Sequence, residues 1–389
     1  MTKRKIALMS MSLALLLLLL GGALFGQATA KNSVYRYLSI FGEVFDLVRN
    51  NYVEPVASEQ LLDGAFAGVT DAIDEFSYYV PASQMAAYRN FTEVDDNGIG
   101  LVVTRRFGYA FVVATIPGSP AEKAGIERGD FIEKIDGSPT SRMAVWQVQS
   151  ALRAARPVHL QILRGGQTKR DEITIQPAKF HPLAVTTKRY GSVACVRIPY
   201  FEKGTAEQFA AALEEIRSAG TRKLIVDLRG NAGGEVEEAI AAADHLLTGG
   251  IITGLDGRKV DARKWQADRA TAFDGEVQVL IDNSTAAGAE VFAGAIRGNE
   301  RGKLVGVTTY GKSIVQRFIT LPSGGGVQMT IARYTTPDLK PIRDTGIRPD
   351  VVVDLTVQAI RVPEGEKPAP REDLILNKAL VLFGEKPAA

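Results

Sequence analysis

Two short stretches of the 389-residue chain carry groups that could do chemistry. Asn231-Ala232-Gly233-Gly234 follows the apolar run Leu224–Leu228 and precedes a helical pattern that starts at Glu235. Glycine there permits close backbone approach, and free N–H groups at a helix start can hold a phosphate or a developing oxyanion. The stretch lacks the Gly-Lys-Ser/Thr ending of a nucleotide loop, which disfavours nucleotide binding. The second stretch is Tyr310-Gly311-Lys312, with Gln316 four residues further on. Taken alone, Lys312 reads as a surface lysine in a glycine-containing turn. The rest of the composition removes other chemistries. His159, His181 and His245 have no ligand spacing, and Cys195 is the one cysteine, so neither a metal site nor a disulfide is expected. Lys and Arg total 46 against 44 Asp and Glu, a net charge of +2 that gives no footprint for nucleic acid.

The elements that must position these groups follow from periodicity. From Tyr35 to about Tyr88 the pattern is helical: Phe41, Val44, Phe45 and Val48 recur at helical spacing, as do Leu61, Leu62, Phe66, Val69 and Ile73. No cluster of chemical groups stands out there, and the segment reads as a small helical cap or dimerisation element. From Glu93 to Ala178 the texture is strand and turn, with a hairpin signal at Asp136-Gly137, a helix over 144–155 and strands at Val158–Leu163 and Glu172–Ile175. From Val185 to Asp354 strands alternate with helices. The strands are near-continuous apolar runs (193–198, 224–228, 277–281, 304–307, 327–332), and this argues for an α/β layer covered on both faces. The helices are expected at 206–219, 235–247 and 289–297, and one more near 374–383. Cys195 falls in an apolar strand and reads as a small core residue.

The motifs now fall into an order. Gly98-Ile99-Gly100-Leu101, Gly118-Ser119-Pro120-Ala121, Gly129-Asp130-Phe131-Ile132 and Ile135-Asp136-Gly137 resemble a PDZ domain of the bacterial protease-associated type. Asp227-Leu228-Arg229-Gly230-Asn231-Ala232-Gly233-Gly234, the 284–290 stretch, Tyr310-Gly311-Lys312, Val315-Gln316 and Gly346-Ile347-Arg348-Pro349-Asp350 resemble the core of carboxyl-terminal processing peptidases, or tail-specific proteases. The resemblance implies a multidomain α+β chain: helical cap 31–92, PDZ-like β-rich domain 93–178, α/β core of the crotonase/ClpP-like kind 179–356, and a tail 357–389 with one helix. It implies a serine-type hydrolase that takes protein or peptide C-termini. In the PDZ-like part, N–H groups of the turn Gly98, Ile99, Gly100 and Leu101 would capture a terminal carboxylate, with Ile99 and Leu101 lining a pocket for the last side chain. In the core, Lys312 would be the base, provided that burial leaves its amine neutral, and Gln316 would orient it. Gly233 or Gly234, with Gly288, would supply the oxyanion donors.

One position departs from this pattern. The family's serine stands 25 residues before the lysine, and residue 287 is alanine, in Thr285-Ala286-Ala287-Gly288-Ala289-Glu290. Ala287 has no oxygen to attack a carbonyl, and loss of such a nucleophile costs on the order of 10⁶ in rate. Hydrolysis is therefore expected to be very weak or absent. A natural non-catalytic homologue, a trap substitution, and takeover by Ser284, Thr285 or Ser313 are the three accounts. The last is the least favoured, because a shift of two or three residues spoils a near-attack distance of about 3–3.5 Å. The rivals to a processing peptidase are a pseudo-peptidase scaffold of the bacterial envelope and a binder of small apolar ligands.

The chain opens with an address. Lys3-Arg4-Lys5, an apolar run from Ile6 to Phe25 and Ala28-Thr29-Ala30 form a secretory leader over 1–30. The run is also long enough to stay as an inner-membrane anchor. Either way the rest is expected in the periplasm or cell envelope, with no membrane contact beyond that anchor.

Overall fold

The computed structural model describes residues 34–93, 97–164, 170–181, 183–355 and 372–388. The leader 1–30, the glycine turn at 165–166 and most of the tail, 356–371, lie outside them. No helix among the described residues is long and apolar enough to cross a membrane. The chain divides into two compact units, Met1–Val69 and Thr70–Ala389.

In the first unit the helical spacing is realised in the helix Val34–Asn51, which buries none of its residues, and in the helix that opens at Ser58. Phe41, Val44 and Val48 stay exposed, and Phe41 packs on Phe45 with ring centroids 6.1 Å apart.

The second unit opens with a departure from the helical reading. The helix that starts at Ser58 stops at Asp71, so Ile73 falls in a turn, and Tyr78–Val80 is a strand paired antiparallel with Gly326–Thr335. Two aromatic residues and a valine, with Pro81 following, favour extended backbone over helix. Just before this strand Phe76 and Ser77 are buried, while Glu75 stays exposed.

The PDZ-like part is an antiparallel sheet in the order Leu101–Arg106, Tyr109–Thr115, Phe131–Ile135, Val158–Leu163, Arg170–Ile175. Alternation sends Ile132, Val158, Leu160 and Ile162 inward against Val148 and Leu152 of the helix Val145–Leu152. Asp136 and Gly137 both have positive φ, 49° and 79°, as a tight two-residue hairpin turn requires.

The core carries a six-stranded sheet in the order Thr186–Tyr190, Val193–Arg197, Lys223–Asp227, Glu276–Ile281, Lys303–Gly306, Val351–Val352, parallel after its first pair. Both faces are covered. Helices Thr205–Ser218, Val236–Asp244 and Gly288–Gly298 pack on one, with Phe292 wholly buried against Phe201 and Phe209. The helix Leu374–Leu382 covers the other, where Ile375, Leu376 and Leu380 meet Val193, Cys195 and Ile225. The Cys195 thiol is buried there, which pushes its pKa up to about 12. A second sheet carries Ile251–Asp256 and the hairpin Ile314–Thr320/Gly326–Thr335, whose tip is 321–325.

Replacing Phe292 by alanine should cost about 3–5 kcal/mol of stability, because the three-ring contact cannot close over the void. Denaturant unfolding of the full chain checks this; a loss under about 1 kcal/mol would mean that the helix face is not a core.

Candidate active site

Residue 287 sits at the turn from the strand Glu276–Ile281 into the helix Gly288–Gly298. Its φ of 50° and ψ of −117° are unusual for a residue with a side chain, and strain of this kind is typical of functional turns. What holds the turn is Glu290, which is wholly buried. Its Oε2 accepts from the backbone N–H of Ala287 at 3.0 Å and of Lys312 at 2.8 Å. Its Oε1 accepts from Thr309 Oγ1 and from Gly311 N–H, both at 2.6 Å. Ser313 Oγ lies 3.1 Å from Oε2 and from the Ala287 carbonyl. Burial pushes the Glu290 carboxyl up, and the converging donors oppose this. Position 287 and the lysine turn therefore share one carboxylate oxygen.

Lys312 is brought into partial burial by that turn. Its Nζ lies 5.1 Å from the centroid of the Phe76 ring. Burial pulls its pKa down, while the carboxylates of Glu75 and Glu290 pull it back up. Gln316 stands at a bulge of its strand and donates from Nε2 to the Phe76 carbonyl at 2.8 Å. Asp74 Oδ1 shapes this support by accepting from the N–H groups of Phe76 and Ser77. Glu75 accepts from the Tyr310 hydroxyl at 2.9 Å, and burial raises its own pKa. Glu75 and Phe76 belong to a segment that showed no chemical cluster as sequence. No local signal marks them, because their partners lie more than 230 positions away.

The Asn231–Gly234 loop lies against the same point. A Cβ on Gly233 would stand 2.8 Å from the Ala287 Cβ, and one on Gly234 would stand 1.9 Å from the Phe201 carbonyl oxygen. Both glycines have positive φ, 122° and 108°. The Gly233 N–H is spent on Asn231 Oδ1 at 3.0 Å. Among the described residues, the N–H groups of Gly234 and Gly288 have no acceptor. The nearby hydroxyls are all buried and engaged. Ser284 Oγ donates to Val113 O at 2.9 Å, Thr285 Oγ1 to Leu228 O at 3.0 Å, and Ser313 Oγ faces the Ala287 carbonyl.

In the PDZ-like part the turn is less open than its glycines suggest. Ile99 is buried in the domain core, and its N–H donates to Leu152 O at 3.2 Å. Gly98 packs on the backbone of Leu152 and Arg153. Gly100, with φ of 77°, leaves no room for a Cβ, which would fall 2.2 Å from the Ser119 Cβ. Gly98, Gly100 and Leu101 line a cavity of about 250 Å³, and Lys312 of the core closes the same cavity. Among the described residues no group of His, Cys, Asp or Glu is placed to hold a metal ion.

Glu290→Gln should cost on the order of 3 kcal/mol, because an amide NH₂ would face N–H donors in a dry site. Thermal and denaturant unfolding test this; a neutral outcome would show that the carboxylate does not hold the two turns together.

Comparison with known proteins agrees with this architecture. Residues 192–353 match the model of peptidase family S41 and residues 111–164 match a PDZ domain. A carboxy-terminal-processing protease of Bartonella bacilliformis is 33% identical over 332 residues, covering 83% of this chain and 76% of that protein. The carboxy-terminal processing protease CtpA of Bacillus subtilis is 27% identical, over 88% of this chain and 74% of its own. Among solved structures, the photosystem II D1 C-terminal processing protease superposes with a TM-score of 0.67 at 25% identity, covering 81% of this chain and 92% of that one. The chain belongs to the carboxy-terminal processing proteases, peptidase family S41, that carry a PDZ domain.

Proposed function

We propose that this chain is an exported family member that grips the C-termini of polypeptides and, with alanine at 287, hydrolyses them very weakly or not at all. One observation carries the reading. The residue at the strained turn beside Gly233 has no hydroxyl, while Ser284, Thr285 and Ser313 are buried in bonds of their own. Export rests on the leader at 1–30. The family's reaction would draw on the groups around this turn. A hydroxyl at 287 would attack the scissile carbonyl, Lys312 would take its proton, and the N–H groups of Gly234 and Gly288 would hold the oxyanion. Gln316 and Phe76 would fix the lysine. The alternative, a pseudo-peptidase that scaffolds envelope proteins, is favoured by the same alanine and needs only the binding half.

Ala287→Ser is the decisive variant. It should gain peptidase activity on an unstructured protein with an apolar C-terminus, by a factor of roughly 10³ or more. Continued silence would sink the idea that the site is intact apart from its oxygen. Hydrolysis by the parent chain at the rate of the serine variant would sink the reading altogether. In the serine variant kcat/KM should rise with pH as Lys312 loses its proton and be lost as pH falls through the depressed pKa. The midpoint should lie below the ordinary lysine value of about 10.4.

A further inference from the structure

Residues 74–77 lead into the strand Tyr78–Val80 and touch the lysine turn. Polar ties to the core hold them there. Asp74 Oδ2 lies 3.4 Å from the Arg343 guanidinium, and Glu75 accepts from the Tyr310 hydroxyl at 2.9 Å. The Phe76 carbonyl accepts from Gln316 Nε2 at 2.8 Å, and Ser77 Oγ accepts from the Thr330 N–H at 3.3 Å. The Phe76 ring is buried, and its centroid lies 5.1 Å from Lys312 Nζ. At that distance a ring face attracts an ammonium and does little for a neutral amine. Glu75 sits on the same turn through Tyr310, two residues before Lys312. An anion there also favours the charged amine. The other charged or titratable groups near the amine are Glu290, whose oxygens are taken by N–H and hydroxyl donors, and Arg153 and Tyr200, which line one cavity with Lys312. Burial works against the ammonium, while Glu75 and Glu290 work for it. Glu75 itself faces Tyr310, Arg106, Lys312 and Asp344.

We propose that Glu75 and Phe76 are positioning residues that keep Lys312 in its ammonium form and so hold back the base that the family's reaction needs. This rests on the reading of Lys312 as that base. The restraint comes from a segment ahead of the PDZ-like part in the chain, not from the turn that carries the lysine. Glu75 is exposed, so solvent weakens its pull, while Phe76 acts from the dry side. Both contributions have one sign. Removal of either lets the ammonium lose its proton at a lower pH.

NMR of the full chain with isotope-labelled lysine tests the idea by following the Lys312 Cε signal against pH. The signal is assigned by its loss in Lys312→Gln, and unfolding curves are run beside each variant. In Glu75→Gln and in Phe76→Leu the midpoint should fall by roughly half a pH unit or more. In the Ala287→Ser background the same substitutions should move the rise of kcat/KM to lower pH, with a gain of roughly threefold at neutral pH. A merely structural role would lower kcat/KM at every pH and leave the midpoint in place. Midpoints that stay or rise in both variants would overturn the proposal. A fall in one variant alone would leave the restraint to that residue and remove the other. Should Phe76→Leu fail to fold, the exposed Glu75 decides. Silence of the serine variants would count against the intact site and not against the restraint, because the titration is read with alanine at 287.

Discussion

A single buried carboxylate organises the centre of this protein. Glu290 is reached by backbone N–H groups from two turns that are more than twenty residues apart, and by two hydroxyls. A buried charge is tolerated only when so fully paired, and pairing makes the geometry stiff. The strained backbone at residue 287 persists because its N–H has nowhere better to point. The lysine turn follows from the same constraint, since the N–H groups of Gly311 and Lys312 are fixed on the two oxygens of one side chain. Lys312 then has to lie against Phe76, where it meets the edge of the PDZ-like sheet.

A second carboxylate joins the site to the PDZ-like part. Asp282 Oδ1 accepts from the N–H groups of Gly230, Ser284 and Thr285, ordering the loop before residue 287 and the start of the Asn231–Gly234 loop. Its Oδ2 pairs with Arg128 at 2.8 Å, and Ser284 reaches the Val113 carbonyl. A third polar link runs from the end of the chain. Arg229 is held by Asp227 and by Asp373, which opens the last helix. Loops that carry chemical groups are thus anchored by ions at their bases, while their tips are left to glycine.

Much of this was legible from residue types. The apolar runs of the core became parallel strands, because burial on both faces removes any need for alternation. Asp136-Gly137 gave its hairpin. Lys312, Gln316 and position 287 were singled out by resemblance to the peptidase family, since Lys312 alone reads as a surface lysine. What could not be read depends on pairing across long separations. Tyr78–Val80 looked helical until a strand of the core offered it a partner. Glu75 and Phe76 matter through Tyr310, Gln316 and Lys312, and nothing in their own neighbourhood says so. The Gly98–Leu101 turn reads as an open nest of donors, yet the end of the helix Val145–Leu152 occupies one of them. Glu290 was visible as the residue that closes a motif, but its five donors were not.

The lone thiol has a consequence of its own. Cys195 lies between the main sheet and the last helix, with its ionisation suppressed by the surrounding hydrocarbon. A buried thiol whose ionisation is disfavoured is a poor partner for thiol exchange. With Cys195 as the one cysteine of the sequence, a reductant has no disulfide within the chain to cut.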